Sequence, residues 1–319
     1  MLICQVAMGQ DSFPPLYTVV YNHVPEGFNY PLFGFVNQGS GNHKGAQIGF
    51  VNINGQDFSG AQVGFVNTNG GALTGLQTGF INIIADSIHG SQIGFINTVV
   101  KKSSGVQIGF VNTSANSLEG TQIGFVNISP KEVKGAQIGF VNTEQNLNTL
   151  QLGFINYADS IGTGGVPIGF LSIIRKGGYK ALEYSYNELF PYNVSLKIGI
   201  PGFYTSINAS FNPDFKDEYA LGGGFGSILN LGTVFFINPE ASYQLHLKNN
   251  NNITRFNFNL GFNLGNRFQL IFGPSATWTR LEDNSEFMEP KFYIHKERFD
   301  ADNELLVGLN AALRINFSN

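Results

Sequence analysis

The chain has 319 residues, and only 13% of them are Asp, Glu, Lys or Arg, against about 25% in an average globular protein. Its formal net charge is −4 and it has one cysteine, Cys4. A nucleic-acid-binding protein would carry a basic stripe, and a disulfide framework needs cysteine pairs. We therefore expect neither nucleic acid among its partners nor internal disulfides.

Residues 1–10, MLICQVAMGQ, resemble the end of a secretory signal peptide. They are apolar and finish in the small-x-small step Ala7-Met8-Gly9, although the basic n-region is missing. An ordinary buried first strand and a lipid-anchored Cys4 are the alternative interpretations, but the residue before Cys4 is not small. No run of eighteen apolar residues occurs, so no transmembrane helix is predicted. Residues 11–32 are predicted to be an N-terminal cap.

Residues 33–172 repeat the phrase G-x-Q-[IVT]-G-F-[VI]-N with a step of fifteen residues, which becomes fourteen and then sixteen at the end. Such a fixed period is the signature of a repeat architecture. The glycine before each phenylalanine marks the units: Gly34, Gly49, Gly64, Gly79, Gly94, Gly109, Gly124, Gly139, Gly153 and Gly169.

The composition of the unit predicts β-strands, because glycines are costly in a helix and Ile, Val and Phe favour strands. Fifteen residues hold two short strands and two turns, which is one rung of a narrow β-solenoid. Stacked rungs place each Ile48-type and Phe50-type side chain on its copy. We expect these apolar ladders inside the coil and the Asn52-type amide ladders at its corners. The flanking glycines would allow turns with positive φ.

An antiparallel meander of the same units is the competing architecture. Its neighbouring strands run in opposite directions, so its turns would alternate and the natural period would be two units. The uniform period of fifteen residues favours parallel stacking.

Segment 173–192 is predicted to be a junction, and residues 193–319 an antiparallel β-barrel-like domain of about eight strands, because apolar and polar residues alternate there over long runs. Tight connections are predicted at Pro201-Gly202, Asn238-Pro239 and Gly265-Asn266, and one long charged loop at 281–303. The predicted strands are 193–200, 203–211, 218–228, 231–237, 240–248, 253–264, 267–280 and 304–317.

The polar face of these strands carries mainly Ser, Thr, Asn, Gln and Gly instead of Lys and Glu. That composition favours an outer-membrane barrel, which turns its apolar residues towards lipid and its polar residues towards the lumen. A soluble barrel, or a sheet packed on the solenoid, is the alternative. The candidate rim aromatics are Tyr204, Tyr219, Tyr243 and Trp278.

The repeated G-x-Q-I-G-F-V-N phrase, followed by an alternating β tail with the glycine-rich strand 219–226, resembles a group of uncharacterised surface-repeat proteins of Gram-negative bacteria. The resemblance covers residues 33–172 specifically and the tail only generically. It implies an outer-membrane or surface location and no reaction.

No arrangement of residues points to catalysis, a cofactor or a metal ion. His23, His43, His89, His246 and His295 have no metal-binding spacing. The acidic residues of the repeats stand at variable positions and form no column, namely Asp57, Asp86, Glu119, Glu132, Glu144 and Asp159. A remote hydrolase hypothesis would use loop 281–303, with Glu286 and Glu289.

One polar column is regular and is our candidate interaction strip for glycans or a protein partner: Gln47, Gln62, Gln77, Gln92, Gln107, Gln122 and Gln137, with Gln151 continuing it. Pairing of these glutamines with each other along the stack is the alternative interpretation.

The sequence thus predicts an all-β, non-enzymatic cell-envelope protein, with a β-solenoid scaffold followed by an outer-membrane barrel, and other envelope proteins or glycans as possible partners. The alternative is a soluble periplasmic or secreted subunit that docks into a larger envelope complex.

Overall fold

The computed structural model describes residues 16–213, 219–248, 250–282 and 289–318, without the side chain of Glu132. Cys4 and the segment 1–10 lie outside this part of the chain. The described residues are all-β, and no helix among them has the length and apolar character needed to cross a membrane. The chain divides into two compact units, Met1–Val166 and Pro167–Asn319.

Thirteen strands form one sheet of parallel neighbours in the repeat region, as a β-solenoid requires. Each residue pairs with its copy in the next rung; Gln107, for example, pairs with Gln92 and Gln122. The parallel solenoid is therefore confirmed and the antiparallel meander is excluded. The strands are β1 (Tyr21–Val24), β2 (Leu32–Phe33), β3 (Val36–Gly39), β4 (His43–Ile48), β5 (Val51–Asn54), β6 (Phe58–Val63), β7 (Val66–Asn69), β8 (Leu73–Ile84), β9 (Ile88–Val99), β10 (Lys102–Ser114), β11 (Ser117–Leu147), β12 (Leu150–Ile161) and β13 (Val166–Lys176).

Four side chains per regular rung point into the coil, and at least two of them are amides. In β9 these are Ile88, Gln92, Asn97 and Val99, each at most 1% exposed. The Phe rings and the Ile48-type side chains instead face outwards, so the expectation that they fill the interior was wrong. Neighbouring rungs touch through backbone: a Cβ on Gly94 would lie 2.0 Å from the carbonyl oxygen of Gly79 in the preceding rung.

The amides occupy the interior because tightly wound rungs leave buried backbone carbonyls that need donors. The Nδ2 of Asn97 donates to the carbonyl of Ile108 in the next rung (2.9 Å) and to Oδ1 of Asn112 (2.8 Å). An aliphatic side chain at this position would bury the Ile108 carbonyl without this amide partner. The invariant Asn therefore donates both to a backbone carbonyl at the turn and to the asparagine of the next rung.

Eight strands of the second unit close into an antiparallel barrel, because β14 pairs with both β15 and β23. β18 pairs only with β19, and β22 only with β23. The strands are β14 (Tyr179–Tyr186), β15 (Tyr192–Ile200), β16 (Phe203–Phe211), β17 (Tyr219–Gly226), β18 (Leu229–Leu231), β19 (Phe235–His246), β20 (Asn252–Leu264), β21 (Phe268–Arg280), β22 (His295–Arg298) and β23 (Asn303–Asn316).

Two features of this barrel differ from the predicted strands. β14 lies within the segment that was predicted to be a junction, so the barrel begins at Tyr179. β19 also runs straight through Pro239, where a turn was predicted. The Pro239 carbonyl accepts from the Ser227 N–H (3.1 Å), so the missing N–H of Pro239 faces the gap between β17 and β18, where no ladder bond is lost.

Alternation along the barrel strands places apolar residues outside and polar residues inside. In β20, Phe256 and Phe258 are 57% and 59% exposed, whereas Arg255 and Asn259 are buried. In β23, Leu309 and Leu313 face outwards while Asn310 and Arg314 face the lumen. The barrel thus has the reverse polarity of a soluble protein core.

Candidate interaction site

The glutamine column proposed as an interaction strip lies inside the solenoid. All seven side chains are fully buried: Gln47, Gln62, Gln77, Gln92, Gln107, Gln122 and Gln137. Each Nε2 from Gln62 onwards donates to the Oε1 of the glutamine one rung earlier, over 2.6–2.9 Å. These glutamines hold the stack together and offer no surface to a partner.

The asparagine ladder runs in the opposite direction. Asn52 Nδ2 donates forward to Asn67 Oδ1 at 2.8 Å, whereas Gln62 Nε2 donates backward to Gln47 Oε1 at 2.7 Å. The two rows of amide dipoles therefore oppose each other, and their fields partly cancel along the coil. Each regular rung from Gln47 onwards thereby makes one Asn and one Gln side-chain hydrogen bond to the next rung, and the two bonds point in opposite directions.

The surface that the solenoid does expose is a row of stacked phenylalanine rings, which we call the aromatic ladder. Its neighbouring ring centroids are 4.8–5.0 Å apart and the ring planes are within 9° of parallel. The rings are 42–58% exposed. The members of the ladder are Phe35, Phe50, Phe65, Phe80, Phe95, Phe110, Phe125, Phe140 and Phe154.

The aromatic ladder is flanked by two further columns without a charged residue. One runs from Phe33 to Leu152, is about two-fifths exposed at most of its positions, and contains one polar member, Thr78. The other runs from Val36 to Ile155, is half-buried, and holds only Val and Ile. The three columns together are the apolar face of the solenoid.

Sequence reasoning missed the apolar face because it assigned the most hydrophobic positions to the interior. The signal that could have found it is that some repeat positions vary in residue type from unit to unit and others do not. The Gln47-type and Asn52-type positions never vary within the regular repeats, whereas the Ile48-type position accepts Val63, Thr78 and Leu152. A position that accepts Thr among aliphatics is typical of a surface, and an invariant amide indicates a required hydrogen bond.

The fourth inward column, which contains Val99, changes chemistry along the coil and holds a buried acid one rung before Ala158. Ser114 and Ser129 donate to the Oε1 of Gln107 and Gln122, and Glu144 occupies the same column one rung later. Glu144 is 3% exposed, and its carboxylate oxygens have no hydrogen-bond partner among the described residues. Burial raises the pKa of Glu144 to about 8, because a low-dielectric interior disfavours the charged form.

The substitution Glu144→Gln is expected to remove a pH dependence of solenoid stability. With a folded pKa of about 8 and an ordinary value of 4.5, the folded chain holds a proton that the unfolded chain releases between those pH values. The stability contribution is therefore complete below pH 4.5 and is lost as pH rises through 8, by at most roughly 5 kcal/mol. The glutamine side chain keeps the shape of the acid and stays neutral at every pH.

The check is the urea midpoint of the solenoid β signal at pH 5 and pH 9. We expect the midpoint of the unsubstituted chain to fall towards pH 9 and that of the Glu144→Gln variant to change far less. Glu119→Gln is the matched control, because Glu119 is a surface carboxylate paired with Lys102 at 2.7 Å. A control that flattened the profile equally would contradict the assignment to Glu144.

The barrel lumen contains a four-charge network near the end where β14 begins. Lys197 lies 3.1 Å from Glu183 and also contacts Glu240. Arg314 lies 2.6 Å from Glu183 and 3.8 Å from Glu240, and the Tyr204 hydroxyl donates to Glu240 at 2.5 Å. Two cations and two carboxylates balance, so the buried network is neutral.

A second network lies towards the opposite end, where the segment between β14 and β15 folds inwards. The carboxylate of Glu188 is fully buried and accepts from the hydroxyls of Ser275 (2.9 Å) and Thr277. Arg255 lies 3.5 Å from Glu188 and donates to Asn187 Oδ1 at 3.0 Å. The segment 187–191 therefore supplies the carboxylate that pairs with Arg255, and it fills this end of the lumen. We call this segment the plug.

Apolar clusters flank these networks at both ends. Leu189 and Phe190 of the plug pack with Ala220, Ile253 and Leu306. The other cluster consists of Tyr179, Ala181, Tyr204, Ile228, Phe236, Ile271 and Ala312. The polar cavity in the lumen has a volume of about 40 Å³, room for only a few water molecules. The described lumen is a packed core.

The predicted rim aromatics divide into two groups. Tyr219, Tyr243 and Trp278 are 38–51% exposed, but Tyr204 is fully buried in the lumen, so its assignment to the rim was wrong. The alternation of β16 turns Tyr204 inwards with Ser206 and Asn208. Tyr184, Tyr186 and Tyr192 are exposed at the same end as Tyr219 and were not foreseen.

The charged loop predicted over 281–303 contains the short strand β22. Lys296 and Arg298 lie 3.1 and 3.8 Å from Glu304, and His295 lies 3.6 Å from Glu297. Asp283 and Glu286 lie outside the described residues, and Glu289 is exposed. Lys296 and Arg298 of β22 thus pair with Glu304 of β23.

The histidines and acids of the described ranges do not gather into any group of three or more with the potential to hold a metal ion. His43, for example, is stacked between Phe28 and Phe58 in the solenoid interior. No family model, curated protein or solved structure matches the chain.

Proposed function

We propose that the chain is a non-enzymatic outer-membrane protein, with a C-terminal barrel that spans the membrane and a solenoid that serves as a rigid interaction scaffold. The observation that carries this proposal is the reversed polarity of the closed eight-stranded barrel. Lipid-facing residues of outer-membrane barrels are apolar and lumen residues are polar. The proposal agrees with the resemblance of the repeats to Gram-negative surface-repeat proteins, which itself stays a prediction.

The exterior of the barrel supports a lipid environment. Four apolar side chains in the middle of barrel strands are 50–53% exposed, although the other face of each strand is turned towards the lumen: Ile207, Leu221, Phe272 and Leu309. In water this belt would leave a large apolar surface unsatisfied, whereas in a bilayer it would contact acyl chains. The strands of eight to fourteen residues suit a tilted span of about nine to eleven.

The two ends of the barrel also differ in the way that outer-membrane barrels do. One end has the turns 201–202 and 265–267 and the connection 227–234 that contains β18, and the other has the connections 187–191, 212–218 and 247–251 and the longest one, 281–302. Short turns are periplasmic and long loops extracellular in such barrels. This orientation places Tyr179, where the first barrel strand begins, on the periplasmic side. The exposed Tyr184, Tyr192 and Tyr219 then form the aromatic girdle of the outer interface.

The test substitutes arginine at two depths of one strand. Phe258 is the central residue of β20 and 59% exposed, and Leu264 is its last residue and 50% exposed. In a bilayer, Phe258→Arg should cost about 2–4 kcal/mol and Leu264→Arg about 0–1 kcal/mol. On a water-exposed surface both substitutions would be nearly neutral.

The measurement is urea unfolding of the full chain refolded into lipid vesicles, followed by the heat-modifiable shift of the folded barrel on a gel. Phe258→Leu is the matched control, since it keeps the position apolar and should be close to neutral. Equal, small effects of the two arginines, or full solubility without detergent, would overturn the membrane location. Those results would favour the soluble periplasmic or secreted subunit.

A further inference from the structure

The aromatic ladder exposes more apolar surface than a monomer ordinarily leaves in water. Nine rings with an exposed fraction near 45%, at roughly 200 Å² per phenylalanine, present on the order of 800 Å² before the flanking columns are counted. The largest apolar patch of a typical monomer is about 300–600 Å², and a stable interface buries about 800 Å² per partner. The apolar face therefore has the size of a complete protein–protein interface.

The regular spacing of the rings indicates what kind of partner fits the apolar face. Its rings repeat every 4.8–5.0 Å with nearly parallel planes, so ridges and grooves alternate at the spacing of the rungs. A surface that makes the same contact with every ring needs the same spacing along its whole length. A second copy of the solenoid has that spacing by construction, as identical sheets do in dry zipper interfaces. The face carries no charge that would oppose the pairing of like with like.

We propose that two copies of this chain dimerise through their apolar faces, with the two aromatic ladders antiparallel and face to face. An isologous pair is related by a two-fold axis, so a residue on the axis meets its own copy. The register that overlaps all nine rings places Phe95, the fifth ring, on that axis. It also places Phe35 of one copy near Phe154 of the other.

This inference rests on the proposed role of the solenoid as a binding scaffold and is independent of the membrane location. It names the partner of the apolar face, which is a second copy of the chain. A chain that dimerises and is soluble without detergent would support the dimer and contradict the membrane location. A chain that needs detergent and stays monomeric would contradict the dimer and leave the membrane location standing.

The arrangement is tested by cross-linking single-cysteine variants of the full chain in a Cys4→Ser background. Facing β layers lie about 10 Å apart, beyond the reach of a disulfide, so a short bis-maleimide is the probe. Phe95→Cys alone should give a covalent dimer. Phe35→Cys alone should not, whereas a mixture of Phe35→Cys and Phe154→Cys chains should. Cross-linking of Phe35→Cys to itself would overturn the antiparallel arrangement.

Charge substitution on the axis supplies the second test. Phe95→Glu and Phe95→Lys place like charges together, and each alone should raise the dimer dissociation constant at least about tenfold. Mixing the two variants should restore an affinity within a few-fold of the unsubstituted chain. His89→Glu is the matched control, since His89 is exposed in the same rung but outside the apolar face.

Sedimentation velocity of the full chain gives the readout for all of these variants. An unsubstituted chain that stays monomeric at micromolar concentration would overturn the proposal. So would a mixture of the two charge variants that dimerises no better than either alone.

Discussion

Gly90→Ala is expected to destabilise the solenoid by at least about 3 kcal/mol. Gly90 has a φ of 145°, which L-residues with a side chain rarely adopt. A Cβ at this position would also lie 1.9 Å from the carbonyl oxygen of Gly75. Neither the strain nor the clash can relax locally, because the colliding atom is backbone of the neighbouring rung.

The effect should spread beyond the substituted rung. Stability of a solenoid comes from contacts between neighbouring rungs, and Gly90 pairs with Gly75 on one side and Gly105 on the other. If the rung of Gly90 separated from its neighbours, both the glutamine and the asparagine ladders would be interrupted in the middle of the stack. The measurement is the urea midpoint of the β signal, or its loss at room temperature.

Ser91→Ala is the matched control for Gly90→Ala. Ser91 is the next residue in the same strand and is half-buried, so its loss of one hydroxyl should change stability by no more than about 0.5 kcal/mol. If both variants unfolded at the same urea concentration as the unsubstituted chain, the tight approach of the rungs would be wrong.

Arg314→Met is the second large expected effect, with a cost of about 3–5 kcal/mol to the barrel. Arg314 is fully buried and donates to Glu183 at 2.7 Å, to Tyr179 Oη at 3.0 Å and to Asn238 Oδ1 at 2.5 Å. Methionine fills much of the space but leaves two buried carboxylates with one lysine. An uncompensated buried charge accounts for most of the expected loss.

A second substitution separates charge from packing. Adding Glu183→Gln to Arg314→Met restores the balance, because Glu240 then pairs with Lys197 alone. The double variant should regain a substantial part of the lost stability, which is a coupling that only residues in contact show. The readout is unfolding in detergent at constant pH. A double variant less stable than Arg314→Met would show that the network is not held together by charge balance.

Much of the fold was predictable because it depends on local repetition. The parallel rungs follow from the fifteen-residue period, since only a copy of the unit can continue every ladder at once. In the barrel, alternation in 253–264 and 304–317 predicted strands that the structure has at Asn252–Leu264 and Asn303–Asn316. β14 was missed because Arg175, Lys176 and the glycines beside them resemble a linker.

The candidate site was less predictable because burial is not a local property. The glutamine strip was chosen for its regularity, and that regularity has another cause: Gln92 accepts from Gln107 inside the coil and donates to Gln77. The lumen network joins Glu183, Lys197 and Arg314 across up to 131 residues. No spacing along the chain indicates such a contact before the barrel has closed.

The sequence by itself determined that rungs stack in parallel and in register, and that a barrel of alternating strands follows them. Both depend on a period, and a period is visible in one dimension. In the solenoid, only the tertiary structure decided which side of each strand faces inwards, and in the barrel it decided between the two arrangements that the composition had left open. Exchanging the inner and outer faces leaves the alternation unchanged, so this choice depends on the narrow coil, on buried carbonyls that need amide donors, and on charges that balance across the lumen.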